Sequence, residues 1–342
     1  MTAITVSGAG HQRSELGTAL PLATPFALHI FPSHCCNLKC SYCLHSLVPD
    51  TIGEMGFRKM LMDFDLFVKC IDDAAQFPDR FKVLILAGWG EPLTHPRIAD
   101  MVRYAKSRNI VERVEIVSNG TLLTPDLSES LIEAGLDRIR ISIQGLDSAR
   151  CREVAGVDVD FDALVGNIAY FFAHRKEARI FLKTVDAALP TEADRAAFHK
   201  IFGTICDEIA IEQVIPVIRD IDHSRFGSDF TRRHCGGEAG YVSVCPFPFY
   251  MTVIHPDGSY APCCSPEQPM DFGNIRDISI GEVWQGEQLK RFRIRHLEGK
   301  RGGSALCRSC PRPQYDIQQG DNLDPYAHAL LPLFSADERI NQ

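Results

Sequence analysis

Cys36-Asn37-Leu38-Lys39-Cys40-Ser41-Tyr42-Cys43 follows directly on an apolar, strand-like run from Phe26 to Phe31. Three thiols in this C-x3-C-x2-C spacing can face one inorganic centre. Iron–sulfur clusters are held by cysteine thiolates, and a cubane given three of them keeps one iron open for a ligand from outside the chain. Cys35 is a neighbour rather than a fourth ligand, because adjacent side chains point apart. A structural zinc site built from Cys36, Cys40, Cys43 and either His34 or His45 is the competing use of the same residues.

Outward from this loop, short apolar runs at Phe26–Phe31, Lys82–Leu86, Arg113–Val117, Arg138–Ile143, Arg179–Thr184 and Glu208–Val214 read as buried strands. Helical patterns lie between them over Arg58–Gln76, Arg97–Arg108, Asp126–Ala134, Phe161–His174 and Ala193–Ile205. This alternation predicts an α/β fold, a parallel sheet with helices outside, and six units predict a partial (β/α)6 TIM-like barrel. Sites in such barrels lie at the C-terminal strand ends. Those ends are polar here: Gly88-Trp89-Gly90-Glu91-Pro92 after the second strand, Ser118-Asn119-Gly120 after the third, Ser142-Ile143-Gln144 after the fourth, and Lys183-Thr184 after the fifth. Glycines at Gly88 and Gly90 let backbone approach a ligand closely, and the Glu91 carboxylate can meet an ammonium. Glu212 is a charge inside an apolar strand, which requires a partner or a function.

Beyond Val214 the periodicity stops. Residues 216–244 are polar and read as a linker or lid, and residues 245–315 then form a second unit. It runs from Cys245 through an apolar strand, an Asp257-Gly258 hairpin turn, Pro262-Cys263-Cys264 and a helix over Ile280–Leu297 to Cys307-Arg308-Ser309-Cys310. Cys245, Cys263, Cys307 and Cys310 are read as one auxiliary set, with Cys264 as the alternative to its neighbour. Residues 1–25 lack periodicity and are expected to be a mobile lead-in, whereas 316–342 is expected to pack back on the barrel.

The 342 residues accommodate one large domain and a smaller appendage. A net charge of -8 argues against nucleic acid as the main partner. No run approaches a membrane span and no signal-peptide core is present, so a cytoplasmic location and no membrane partner are expected. Thirteen cysteines, an odd number in such a chain, do not read as a disulfide framework. The scattered Cys70, Cys151, Cys206 and Cys235 default to buried packing.

The cysteine loop, with Tyr42 before its last cysteine, resembles the signature of the radical S-adenosylmethionine (SAM) superfamily. Gly88-Trp89-Gly90-Glu91-Pro92 resembles that family's Gly-Gly-Glu-Pro motif, with Trp89 in place of the first glycine of the pair. The terminal cysteines, Gly273-Asn274-Ile275 and Val283-Trp284 are similar to a SPASM domain in its shortened twitch form. The resemblance implies a [4Fe-4S] cluster with an open iron on Cys36, Cys40 and Cys43, SAM as co-substrate, and a second, auxiliary [4Fe-4S] cluster. It implies that Gly90 and Glu91 hold the methionine amine of SAM, with Gly88 also in the cofactor-binding motif. Tyr42, Ser118, Asn119, Ser142 and Gln144 are then candidates for the rest of that molecule.

The chemistry so implied is reductive cleavage of SAM to a 5'-deoxyadenosyl radical, which takes a hydrogen atom from carbon. The nearest functional class is oxidation of a secondary alcohol in a small sugar- or aminocyclitol-type substrate, with Lys183 or Glu212 as base and a flavodoxin- or ferredoxin-type electron donor. Alternatives are a sugar epimerase with Cys264 or Cys235 as hydrogen donor, a peptide-modifying maturase, and a non-catalytic iron–sulfur or zinc module.

Overall fold

A computed structural model describes residues 3–6 and 15–336 of the chain. Its nine strands are β1 (Ile4–Thr5), β2 (Ala27–Ile30), β3 (Val83–Leu86), β4 (Val114–Ser118), β5 (Arg138–Ile143), β6 (Arg179–Val185), β7 (Glu208–Glu212), β8 (Met251–Ile254) and β9 (Tyr260–Ala261). They form one sheet in the order β1-β7-β6-β5-β4-β3-β2-β8-β9. Every pairing is parallel except β8 with β9. From β2 to β7 neighbours in sequence are neighbours in the sheet, and helices cross between them, as a partial (β/α)6 barrel requires. Runs such as Val-Leu-Ile-Leu in β3 are almost wholly buried because parallel strands are covered on both faces.

The crossing helices are α1 (Phe64–Ala74), α2 (Ile98–Arg108), α3 (Pro125–Glu133), α4 (Ser148–Ala155), α5 (Phe161–His174) and α6 (Glu192–Phe202). Their starts are written in the sequence. Asp63, Thr124, Asp147 and Asp160 each accept a first-turn backbone N–H, and Thr191 with Asp194 closes a capping box. The expected helix from Arg58 starts only at Phe64. Residues 58–62 run extended against the entry to the cysteine loop instead: His34 N–H donates to Met60 O at 2.8 Å and Met62 N–H to Pro32 O at 2.8 Å.

At the N-terminal end of the barrel a buried ion group closes the floor. Arg138 bonds Glu208 and lies 3.5 Å from Glu115, which also takes Arg140 at 3.1 Å. Buried charges of this kind are tolerated because they are paired. The opposite end is left for chemistry.

The second unit is not separate from the barrel. β8 pairs with β2 along its whole length, Ala27 opposite Met251 through Ile30 opposite Ile254, so the hairpin extends the barrel sheet on its cysteine-bearing edge. Gly258, at φ +91, makes the turn to β9. The expected single helix over Ile280–Leu297 is two, Ile280–Gln285 and Glu287–Leu297, because Gly286 is extended between them.

The lead-in reading is corrected at residues 15–24. Leu16 and Leu20 are buried with Phe31, Phe249 and Leu330, since these apolar side chains have a core to enter, and the exposed Ile4–Thr5 adds a short strand beside β7. The remainder of that segment lies outside the described residues, as does 337–342. The helix Ala327–Ser335 packs on Phe249 and on the helix Glu287–Leu297, in one apolar cluster with Ala27 and Phe31; the Phe249 and Phe334 rings meet edge-on at 5.4 Å. Residues 216–244 carry little regular structure, yet Ile218 and Ile221 pack with Leu44, Ile52 and Phe57 beside the cysteine loop. No described helix is long and apolar enough to cross a membrane.

Candidate active site

The loop after β2 is fastened on both sides. Lys39 and Ser41 N–H groups donate to Ala155 and Val154 carbonyls at the end of α4, and Glu91 N–H donates to Cys35 O at 2.8 Å. The thiols of Cys36, Cys40 and Cys43 are thereby gathered: burial raises all three, Cys36 to about 11, and the thiolate charge of Cys43 further raises Cys36 and Cys40. Such a set calls for a cationic centre. Among the described residues neither cysteine set brings three donor atoms within the 4.8 Å that suits one ion.

The segment after β3 packs directly against this loop. A Cβ at Gly90 would stand 2.3 Å from Ser33 O and 2.7 Å from Cys35 O, and Gly88, at φ +133, faces the Phe31 ring. Glycine is required at both for that approach. Glu91 is 2% exposed. Its Oε1 accepts from Leu93 N–H at 2.9 Å and Ser118 Oγ at 2.8 Å, and its Oε2 accepts from Asn119 N–H at 2.7 Å. Burial pushes its carboxyl up to about 7 against those three donors. Asn119 also reaches the loop through Asn37 Oδ1 at 2.9 Å. Ser118 and Asn119 are therefore engaged with Glu91 and the cysteine loop. Tyr42 donates its hydroxyl to Gln144 Oε1, and Gln144 bonds Ser142 O at 3.3 Å, which joins the loop to the end of β5.

On the far side of the mouth, Lys183 from β6 and Glu212 from β7 meet at 2.7 Å. His234, which the sequence did not single out, places Nε2 2.9 Å from the same Glu212 oxygen, and Cys235 lies beside them. The two cations hold the buried Glu212 carboxyl well below the usual carboxylate range, and Glu212 in turn raises His234. The expectation that Cys235 is a core cysteine is overturned, whereas Cys70, Cys151 and Cys206 are buried as expected. A His-Cys pair before two glycines was the available signal for this group.

Cys245, Cys263, Cys307 and Cys310 line one cavity, together with Arg312. Burial and the neighbouring thiolates raise Cys245. Cys264 does not line it. Its Sγ accepts from Arg312 Nη1 at 3.2 Å and its carbonyl from Trp89 Nε1 at 3.0 Å. Arg312 also pairs with Asp316 at 2.5 Å. The residue after Gly88 thus ties the motif beside the first cysteine set to the edge of the second.

A family profile described as "Radical SAM superfamily" matches residues 30–194, and one described as "Iron-sulfur cluster-binding domain" matches 245–311. The chain is 40% identical over 298 residues to the tungsten-containing aldehyde ferredoxin oxidoreductase cofactor-modifying protein of Pyrococcus furiosus, covering 76% of this chain and 80% of that one. It is 33% identical over 329 residues to the AdoMet-dependent heme synthase of Methanosarcina barkeri, covering 80% and 85%. The PqqA peptide cyclase of Gluconobacter oxydans is 23% identical over 318 residues, covering 85% and 84%. Among solved structures, BtrN in complex with AdoMet and 2-DOIA aligns with a TM-score of 0.55 at 18% identity, over 86% of this chain and 97% of that one. Streptococcus suis SuiB bound to precursor peptide SuiA aligns at 0.61 and 16% identity, over 90% and 78%. At these identities the structural likeness speaks for the fold.

Proposed function

The chain belongs to the radical SAM superfamily and carries a C-terminal iron–sulfur cluster-binding domain of SPASM type, and from that premise we propose that it is an oxidoreductase acting on a small, anionic, hydroxylated molecule. Its cofactors are a [4Fe-4S] cluster with an open iron, SAM, and auxiliary iron–sulfur chemistry in the C-terminal domain. When bound, the first cluster and SAM supply a 5'-deoxyadenosyl radical able to remove a carbon-bound hydrogen.

The observation that carries the oxidative reading is a line of contacts between the barrel mouth and the auxiliary cavity. Glu212 bonds His234, whose backbone N–H donates to Tyr315 O at 2.8 Å. The next residue, Asp316, pairs with Arg312 at the cavity. An electron left on substrate carbon at the mouth would have the auxiliary centre as its acceptor.

In this reading Cys36, Cys40 and Cys43 hold the first cluster, and Cys245, Cys263, Cys307 and Cys310 hold the second. Gly88 and Gly90 present backbone to SAM, and Tyr42, Ser142 and Gln144 border its nucleoside. Glu91, with Ser118 and Asn119, keeps the cysteine loop and the motif after β3 in register. Lys183 and Glu212 bind the substrate hydroxyl, and its proton passes to Glu212 Oε1, the oxygen held by neither Lys183 nor His234. Two cations on one carboxylate make it a weak base, so the transfer follows hydrogen abstraction, which acidifies the hydroxyl.

Lys183 and His234 also leave one positive charge beyond what Glu212 balances. This favours a sugar- or cyclitol-type substrate bearing a carboxylate or phosphate over one bearing an amine. The more similar relatives, a cofactor-modifying protein and a heme synthase, support a small molecule over a peptide. Epimerisation is the second reading, favoured by the thiol of Cys235 beside Glu212.

The test is deuterium transfer from a metabolite extract of the source organism grown on deuterated medium, separated into small-molecule and peptide fractions. Reconstituted enzyme with SAM and reductant should form singly deuterated 5'-deoxyadenosine from the small-molecule fraction, with a product two hydrogens lighter. Label arriving solely from peptides, or a product of unchanged mass carrying solvent hydrogen, would overturn the oxidative reading.

A further inference from the structure

The His234 ring is held in a way that the oxidation itself does not require. Nδ1 lies 2.7 Å from Gln213 O, so that nitrogen carries a proton. Nε2 lies 2.9 Å from Glu212 Oε2. An imidazole lone pair facing a carboxylate oxygen at this distance needs a cation between them. A proton meets that need in the free chain. A metal ion meets it equally well, and a backbone carbonyl on Nδ1 is the usual outer support of a metal-binding histidine.

A third donor is in place. A Cys235, a His234 and a Glu212 donor atom, namely the thiol sulfur, a ring nitrogen and a carboxylate oxygen, all lie within 4.8 Å of one another, and among the described residues no other three His, Cys, Asp or Glu side chains do. Tetrahedral zinc sets such donors roughly 3.2–3.8 Å apart, so small side-chain movements complete the site. The backbone that carries it is fixed on two sides: Gln213 N–H donates to His234 O at 3.2 Å, and His234 N–H to Tyr315 O. Gly236 and Gly237, at φ +89 and +81, close the tight turn behind Cys235, with Arg233 N–H donating to Gly237 O at 2.9 Å.

We propose that Glu212, His234 and Cys235 form a binding site for a divalent transition metal of zinc or ferrous type at the barrel mouth, apart from both cysteine sets. One oxygen, one nitrogen and one sulfur donor suit these borderline ions. Three protein ligands leave a position for an outside ligand, as in zinc sites that bind substrate. Binding displaces the Cys235 thiol proton and the proton between His234 and Glu212, and it draws Glu212 away from Lys183. The ammonium so released and the metal together face an anionic oxygen of the substrate. That last role rests on the mouth being the reaction site proposed above; the binding itself does not. A metal-bound Cys235 is no longer a hydrogen donor, so the site also weighs against epimerisation.

The test uses holoenzyme with both clusters loaded, titrated with zinc ion and desalted. Expected is one zinc retained per chain, with a zinc-edge X-ray absorption shell of one sulfur and two or more nitrogen or oxygen neighbours. Cys235→Ser should lose the sulfur scatterer and at least tenfold in affinity, with iron content unchanged. Lys183→Met should bind zinc more tightly than the parent, because it removes the competitor for Glu212. No retained zinc in the loaded wild-type enzyme, or a shell of several sulfurs that persists in Cys235→Ser, would overturn the proposal. Formation of 5'-deoxyadenosine by the same wild-type preparation reads the radical chemistry separately, so either can fail without the other.

Discussion

At the residue scale, Gly90 concentrates the account. A side chain there meets two carbonyl oxygens of the chain that leads into the cysteine loop. Relief would push the motif after β3 away from that loop and loosen the bond from Glu91 N–H to Cys35 O. Gly90→Ala is expected to cost about 1–3 kcal/mol, the usual scale of overpacking. It should also lower iron loading of the first cluster more than of the second. Thermal melts and iron counts in a Cys310→Ala background, which isolates the first cluster, would check this; full loading in that background would show that the loop does not depend on the contact. The same residue illustrates what was legible. The cysteine spacing and Glu91 stand out as letters, because their chemistry demands those residue types. The Glu91 partners Ser118 and Asn119 were legible as strand-end polar residues but not as its donors, since their register across β3 and β4 depends on how the strands align. His234 and Arg312 sit in segments without periodicity, and nothing local announces their partners.

At the element scale, the pairing of β8 with β2 joins the two units through backbone hydrogen bonds. The run Phe249–His255 reads as a strand from composition, yet its choice of β2 as partner is a long-range event that no local pattern encodes. Val253 sits opposite His29 on one side and Ala261 on the other. Val253→Pro should remove one ladder donor, on the β9 side, and wedge a ring into a strand paired at both edges, where proline is otherwise confined to edges and bulges. Hydrogen exchange of the Leu28–Ile30 amides should accelerate together with that of the hairpin. Acceleration confined to the hairpin would mean that the barrel does not rely on β8.

Directly after β8, His255 Nδ1 lies 3.2 Å from His34 Nε2, and burial lowers both histidines to about 4. The unfolded chain takes up protons first on acidification, so the contribution of this pair to stability is full above about pH 6.5 and falls as the pH drops toward 4. The expected loss is at least about 1.4 kcal/mol per pH unit. Denaturant unfolding between pH 7 and 5 should give a shallower slope in His255→Phe; an unchanged slope would assign the acid sensitivity elsewhere. Residues 58–62 depart from the helix their spacing predicts because of long-range bonding: two backbone bonds to the chain before the cysteine loop are worth more there than another helical turn.

At the scale of the whole molecule, the chain puts one cysteine set at the C-terminal end of β2 and another in the unit whose β8 pairs with β2, with Trp89, Cys264 and Arg312 linking the two regions. The α/β class and the two cysteine groups follow from the sequence because alternation and spacing are local. The shared sheet, and the packing of residues 15–24 and of Ala327–Ser335 into one apolar layer, do not. In the proposed function the two cysteine sets divide the labour, and electron paramagnetic resonance of the reduced, reconstituted enzyme reads that division. Two cluster signals are predicted, of which SAM perturbs one. Cys40→Ala should erase the SAM-sensitive signal together with 5'-deoxyadenosine formation, while Cys310→Ala should erase the other signal and leave SAM cleavage in place. A SAM-sensitive signal that survives in Cys40→Ala, or SAM cleavage lost in Cys310→Ala with the first signal intact, would contradict the account.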